Sequence, residues 1–474
     1  MRNDEPSTSE LGGHLRLVTV AAITGQLMVM LDIAVVNVAV PTIRLNLGFS
    51  APGVQWVASV YTIAFAGFLI VGGRAADLLG RRRVFTLGLV IFTASSLAAG
   101  LSIAPAMLIA SRAVQGIGAA LLSPATLTIL LTDLQGRRQS RAVGAWASMS
   151  GVGGGLGVLL GGLLTQELSW RWIFFINVPV GAITGVLAWV VLGSDAAAAS
   201  RRDLDLPGAV SLTAGMLALV FALIHASTSS WISPVTVATI GLTAALFAAF
   251  WLIESRFAGQ PLVPLRQLRG SASIWANLVV LLLYCVVISP WFLFSYYMQT
   301  VLGFGPLRTG LAFLPQAVVI AAASNACSRL ASRRGPRELL VIGPLLAVAG
   351  LLLMWWEAVS TAHAGYLPAI LGPLILLGLA LGCTLPSATL VATSGVAPGE
   401  SGLASGLLNS SRQFGGALGL AILFTIGTRR GGGFHVLPPG YPTAALVGVG
   451  IAVLAALVAV RAVRHPVTGC GGTG

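Results

Sequence analysis

Apolar runs of about twenty residues, each long enough to carry an α-helix through a bilayer, recur from one end of this 474-residue chain to the other. More than a dozen such helices fit within the length, joined by short loops. Hydrophobic residues make up 56% of the chain and charged residues 9%, with a mean hydropathy of +0.91. A water-soluble fold has too little polar surface to cover that balance. A soluble enzyme is therefore excluded, and no polar stretch is long enough for a separate soluble domain.

The spans fall at residues 17–43, 53–73, 84–104, 106–131, 142–165, 172–193, 207–226, 234–254, 273–300, 309–330, 339–358, 366–390, 402–427 and 442–463. Fourteen crossings, an even number, put both termini on one side. All 27 basic residues are arginine, and they say which side. Twenty lie on the terminus side, among them Arg74, Arg81, Arg82 and Arg83, and five on the other, Arg44, Arg171, Arg308, Arg429 and Arg430. The positive-inside rule then makes both termini cytoplasmic. Because these arginines lie between apolar runs rather than on one face, the net charge of +13 marks topology and not nucleic-acid binding. Cys285, Cys327, Cys383 and Cys470 show no CxxC or Cys/His spacing, so neither a disulfide framework nor a metal site is expected. The first apolar run continues to about Ile43, too long for a cleavable signal, and is expected to stay as the first span.

The chain also repeats itself. Ala76-Asp77-Leu78-Leu79-Gly80, with Gly88 beyond, aligns with Ala331-Ser332-Arg333-Arg334-Gly335 and Gly343 at an offset of 255. LLSPATL at 121–127 matches TLPSATL at 384–390, and Gly144, Gly154 and Gly157 match Gly406, Gly416 and Gly419, at offsets of 263 and 262. The near-constant offset implies a tail at 1–16, a six-helix bundle at 17–193, a linker with two extra spans at 194–270, a second six-helix bundle at 271–465 and a tail at 466–474. Parallel repeats are a transporter signature, because alternating access rocks one half against the other. A channel or membrane enzyme has no such need. The phosphate-binding pattern GxxxxGK[ST] is absent, and no lysine exists to fill it, so ATP does not drive this chain.

Three charges lie inside spans. Asp32 stands 15 residues after Leu17, about 22 Å from the end of a long span, where a carboxylate costs about 2.5–3.5 kcal/mol. Burial penalises its charged form, which makes it the candidate proton site, with a structural acid tied to a neighbouring helix as the plain alternative. Arg112 follows Pro105 by 7 residues, in the same outer half of the bilayer, so the two can approach, with a structural arginine snorkelling to the outer interface as the plain alternative. Gln115 and Gly116 share its helix face. Arg412 has no basic counterpart in the first half; it can hold an anionic substrate group, or tether neighbouring carbonyls. Trp291 and Tyr296 in the ninth span can stack on an aromatic compound, or belong to an interfacial belt.

These residues fall into patterns that resemble the major facilitator superfamily and, within it, the fourteen-span drug:proton antiporters. The patterns are Leu31-Asp32 through Asn37 to Pro41, Gly73 to Arg83 in the second loop, Leu108 to Gly118, Gly153 to Gly162, and Trp170-Arg171-Trp172-Ile173-Phe174-Phe175-Ile176-Asn177-Val178-Pro179. The resemblance implies an all-α membrane protein with the major facilitator fold, two six-helix pseudo-repeat bundles plus two inserted central helices. It implies proton-coupled export of hydrophobic or cationic drug-like compounds across a bacterial cytoplasmic membrane, by a monomer driven by the proton gradient without a cofactor. Transport of a specific metabolite on the same fold is the rival reading. Asp32 and Arg112 take the proton-coupling role; Asn37, Gln115, Arg412, Gln413, Trp291 and Tyr296 are the cavity candidates. The stretch with Gly73, Asp77, Gly80, Arg81 and Arg82 resembles the superfamily's gating loop, in which Asp77 latches onto a helix N-terminus or a loop arginine. Leu78 stands where the family often has a basic residue. Gly157, Gly161 and Gly162 resemble the antiporter motif that seals the cavity, although Val158 replaces its usual proline.

Overall fold

The computed structural model describes residues 8–49, 53–191, 206–256, 272–360, 366–393, 401–427 and 440–464; among them the chain is helical apart from short turns. Residues 1–7, the expected tail at 466–474 with Cys470, and most of the connections into and out of the central pair lie outside the described residues, while residues 8–16 of the expected N-terminal tail are helical and open the first helix. In chain order the long helices are α1 Thr8–Leu47, α2 Trp56–Leu79, α3 Arg81–Gly100, α4 Pro105–Asp133, α5 Gly136–Glu167 and α6 Trp172–Val191. Then come α7 Leu206–Thr228, α8 Pro234–Arg256, α9 Ala272–Thr300, α10 Pro306–Arg334, α11 Arg337–Ser360, α12 Gly372–Thr393, α13 Ser401–Gly419 and α14 Gly440–Arg464. In hydrocarbon a backbone must satisfy its own hydrogen bonds, which is why apolarity becomes helix almost without interruption. Pro105, Pro234 and Pro306 open their helices at the position where a missing N–H is harmless.

Twelve helical segments among the described residues are long and apolar enough to cross a membrane. The two long helices outside that set are α7, whose apolar part is the shorter stretch Pro207–Leu223, and α13, which is rich in Ser, Asn, Gln and Gly.

The segment from Gly73 to Arg83, expected as a loop, is not one. Helix α2 runs on to Leu79, the turn is the single residue Gly80, and Arg81 begins α3. Gly80 has φ 98°, a left-handed value that only glycine adopts cheaply, and Gly335 at the repeat-related turn has φ 91°. Arg74, counted above among the loop arginines, is accordingly a buried helical residue. A charge ends an apolar run long before it ends a helix.

Packing follows the repeat. Before the central pair, α1 packs on α5, α4 and α6, while α3 and α2 pack on α4. After it, α11 packs on α12 and α14, α9 on α13 and α14, and α10 on α12. Helices α7 and α8 pair with one another, and α7 leans on α2. The two sets meet chiefly where α5 lies along α10 and where α2 and α4 meet α13.

Candidate functional site

Asp32 and Arg112 come together in the first half and are 0% and 1% exposed. The guanidinium Nη1 donates to Asp32 Oδ2 at 2.5 Å and to Gln115 Oε1 at 2.7 Å, and its Nε donates to the Val57 carbonyl at 3.1 Å. Gln115 in turn donates from Nε2 to Asp32 Oδ1 at 2.9 Å. The one-turn spacing of Arg112 and Gln115 on α4 thus supplies both sides of one carboxylate on α1. The cation also lies over the Tyr61 ring, 4.1 Å from its centroid, and near that of Phe174 at 5.7 Å.

Three members of this cluster were not singled out from the sequence. Asn177 of α6 donates from Nδ2 to Asp32 Oδ1 at 3.3 Å and to Ser96 Oγ at 3.0 Å, and Ser96 donates to the Phe174 carbonyl at 3.0 Å. Tyr61 adds its ring, while its buried hydroxyl has no partner among the described residues. For Asn177 a signal existed: it is a lone amide inside an apolar helix. Tyr61 and Ser96 are unremarkable in their runs.

The glycines of α5 divide between two neighbours. A Cβ on Gly153 would lie 2.6 Å from Met30 Cβ, one on Gly157 2.6 Å from Ala34 Cβ, and one on Gly161 2.8 Å from the Val35 carbonyl, so these three bring α5 against α1 on either side of Asp32. Gly154 and Gly155 face the second half, beside Trp291 and Ala317. Val158, where a proline was expected, presses on Gly310 of α10, and Gly162 has only Leu307 nearby at 3.9 Å.

At the Gly80 end, α2 crosses α13 with backbone against backbone. A Cβ on Gly73 would overlap the Gly402 carbonyl, and the converse holds for Gly402 and the Gly73 carbonyl. Asp77 accepts from the N–H of Gly402 at 2.7 Å and of Leu403 at 2.9 Å, capping the start of α13 with a negative charge where the helix dipole favours one. Arg81 and Arg82 work inside the first half instead. Arg81 pairs with Asp133 at 2.5 Å and donates to Thr132, while Arg82 donates to the Trp189 carbonyl at 3.0 Å.

Of the cavity candidates, Arg412 is 4% exposed and reaches from the second half toward the first. It donates to the Tyr284 hydroxyl at 2.9 Å and to Asn409 Oδ1 at 3.1 Å, with Met30 Sδ of α1 at 3.9 Å and the Trp146 ring of α5 at 5.4 Å. Gln413 is half-buried beside it. Trp291 donates to Gln316 Oε1 and rests its ring edge on Gly154. The side chains of Asn37 and Tyr296 lie outside the described residues.

Comparison with known proteins bears on the family and the fold. Residues 22–420 match the family model of the Major Facilitator Superfamily. The chain is 40% identical over 443 residues to a cephamycin export protein of Amycolatopsis lactamdurans, covering 93% of this chain and 90% of that one. It is 37% identical over 459 residues to a puromycin resistance protein of Streptomyces alboniger, with the same coverage of 93% and 90%. Among solved structures, the human organic anion transporter called TETRAN superposes with a TM-score of 0.66 at 17% identity, over 94% of this chain and 99% of that one, a likeness of fold.

Proposed function

The chain belongs to the major facilitator superfamily, and on that footing we propose that it is a secondary exporter that expels antibiotic-like compounds from a bacterial cell in exchange for protons. Relatives named for cephamycin export and for puromycin resistance support the export. The observation that carries the coupling is the buried Asp32–Arg112 pair. A proton taken by Asp32 removes the charge that holds Arg112, and so loosens α1 from α4. An equilibrium between two conformations then shifts by as much as that lost attraction.

In this reading α7 and α13 complete fourteen crossings, since each packs alongside neighbouring spans. The Gly80 end and both termini face the cytoplasm, a reading that the arginine asymmetry supports. The protein works as a monomer in the plasma membrane, uses the proton gradient alone with no cofactor, and catalyses no covalent chemistry. Arg412, together with the Trp146 and Tyr284 rings, forms the polar and aromatic part of the compound's path between the halves.

The direct experiment is a drug-susceptibility panel in a pump-deficient host with and without this protein. Resistance raised several-fold for a subset of antibiotics is expected; an unchanged panel, with uptake of a labelled metabolite instead, overturns the export reading. The latch gives a second expectation. Asp77→Ala removes two charge-assisted bonds to α13 and is expected to open the cytoplasmic side about tenfold more often. A cysteine at Ser405, buried in the α4–α13 seam, reports this by faster reaction with an impermeant thiol reagent in a background without the native cysteines.

A further inference from the structure

Asn177 has no counterpart among the roles so far assigned, and it is the one donor to Asp32 that comes from α6. Resting on the reading of Asp32 as the proton site, we propose that Asn177 is a positioning residue that responds to the protonation of Asp32, clamping α6 to α1 while the carboxylate is ionised and releasing it when the carboxylate is neutral. The side chain is 2% exposed, so the bonds it makes are not traded against bulk water. An N–H bond to an ionised carboxylate is roughly twice as strong as one to a neutral acid. At 3.3 Å the Asn177 bond is also the longest of the three sets of contacts to Asp32, after 2.5 Å from Arg112 and 2.9 Å from Gln115, and it is the first to yield when the charge is lost.

Two features give the release somewhere to go. A cavity of about 80 Å³ lies between α1 and α6, and Asn177 is among the residues that line it, with Thr24, Leu27, Leu31 and Ile176, so there is free space beside the joint of α6. Its second acceptor, Ser96, bonds the Phe174 carbonyl at the joint between the turn Trp172–Phe175 and the helix Asn177–Val191. The ring of that same Phe174 lies 5.7 Å from the Arg112 guanidinium. The proton site is thereby connected to the entrance of α6 on both sides of the joint. The titratable and charged groups that face Asp32 are Arg112 from α4 and Tyr61 from α2. Asn177 of α6, Ser96 of α3 behind it, and Gly153 and Gly157 of α5, which meet α1 on either side of Asp32, carry none.

The test reads Asp32 itself. Full-length protein in lipid nanodiscs is titrated while the infrared stretch of the protonated carboxyl is followed, with Asp32→Asn as the spectrum to subtract. Asn177→Leu removes a donor that favours the ionised form, so its midpoint is expected about one pH unit above wild type. Ser96→Ala, a milder change that keeps the amide but removes its anchor, is expected to move the midpoint in the same direction by less. Midpoints equal to wild type in both variants, with only thermal stability lowered, show a structural amide and overturn the proposal. If Asp32→Asn removes no band, Asp32 does not take up the proton and both readings fall together.

Discussion

Asp32→Asn is expected to reduce drug-driven proton movement in everted vesicles to the background of vesicles lacking the protein. The substitution keeps the size of the side chain and removes its charge, leaving the guanidinium of Arg112, 1% exposed, without its carboxylate. Breaking a buried pair by neutralising one member costs about 3–5 kcal/mol, because the remaining charge keeps its desolvation penalty. A lower unfolding temperature therefore accompanies the loss of coupling. The double change Asp32→Asn with Arg112→Gln separates the two effects: stability returns toward wild type, since neither charge is left, while coupled exchange stays absent. Coupled exchange persisting in either variant removes Asp32 from the mechanism.

Gly73→Ala carries the second large effect. The added Cβ meets the carbonyl of Gly402 and the Cα of Gly406, both backbone, so no side chain can swing aside. The clash exists only while α2 and α13 are in contact, which means the substitution acts on one conformation of the transporter rather than on the fold as a whole. A penalty of about 2–3 kcal/mol shifts the equilibrium between conformations by roughly 30- to 150-fold. Cysteine accessibility at the Gly80 end is expected to rise by that order while resistance is lost. Gly450→Ala on α14, with nothing within 4 Å, is the matched control and is expected to behave as wild type. Equal behaviour of the two variants shows that the α2–α13 contact plays no part in transport.

Much of this was legible in the residues. Two opposite charges in the same half of the bilayer can approach, so spacing allowed Asp32 and Arg112 to pair but left open an arginine that snorkels to the outer interface; the structure shows the pair. Asp77 could be read as a latch onto a helix N-terminus or a loop arginine, but the choice of the N-terminus at Gly402 depends on how the halves pack. The stretch between α2 and α3 reads as a loop in the sequence because hydropathy falls at Arg74, whereas the helix ends only where Gly80 takes a positive φ. The same limit separates twelve apolar segments from the fourteen expected. Helix α13 buries Ser405, Asn409, Ser410 and Arg412 against neighbouring helices and so need not be apolar to lie among them. Ser96 and Tyr61 gave no signal at all. A serine or tyrosine in an apolar run acquires its meaning from the helix across from it.

Helix α5 has one row of glycines fitted to α1 around Asp32 and another row, with Val158, fitted to Trp291, Ala317 and Gly310 of the second half. A machinist would describe such a part as a shaft geared on two sides with almost no backlash. Where side chains interdigitate, a small displacement is absorbed by rotamer changes before anything beyond them moves. Where a glycine rests on backbone or on a Cβ, as Gly153, Gly157 and Gly161 do on α1 and Gly155 does on Ala317 of α10, there is little such slack, and a shift of α1 by a fraction of an ångström passes along that line to α10. On the proposed reading of Asp32 as the proton site, the glycines of this helix set the accuracy with which a single proton there is registered by the other half of the molecule.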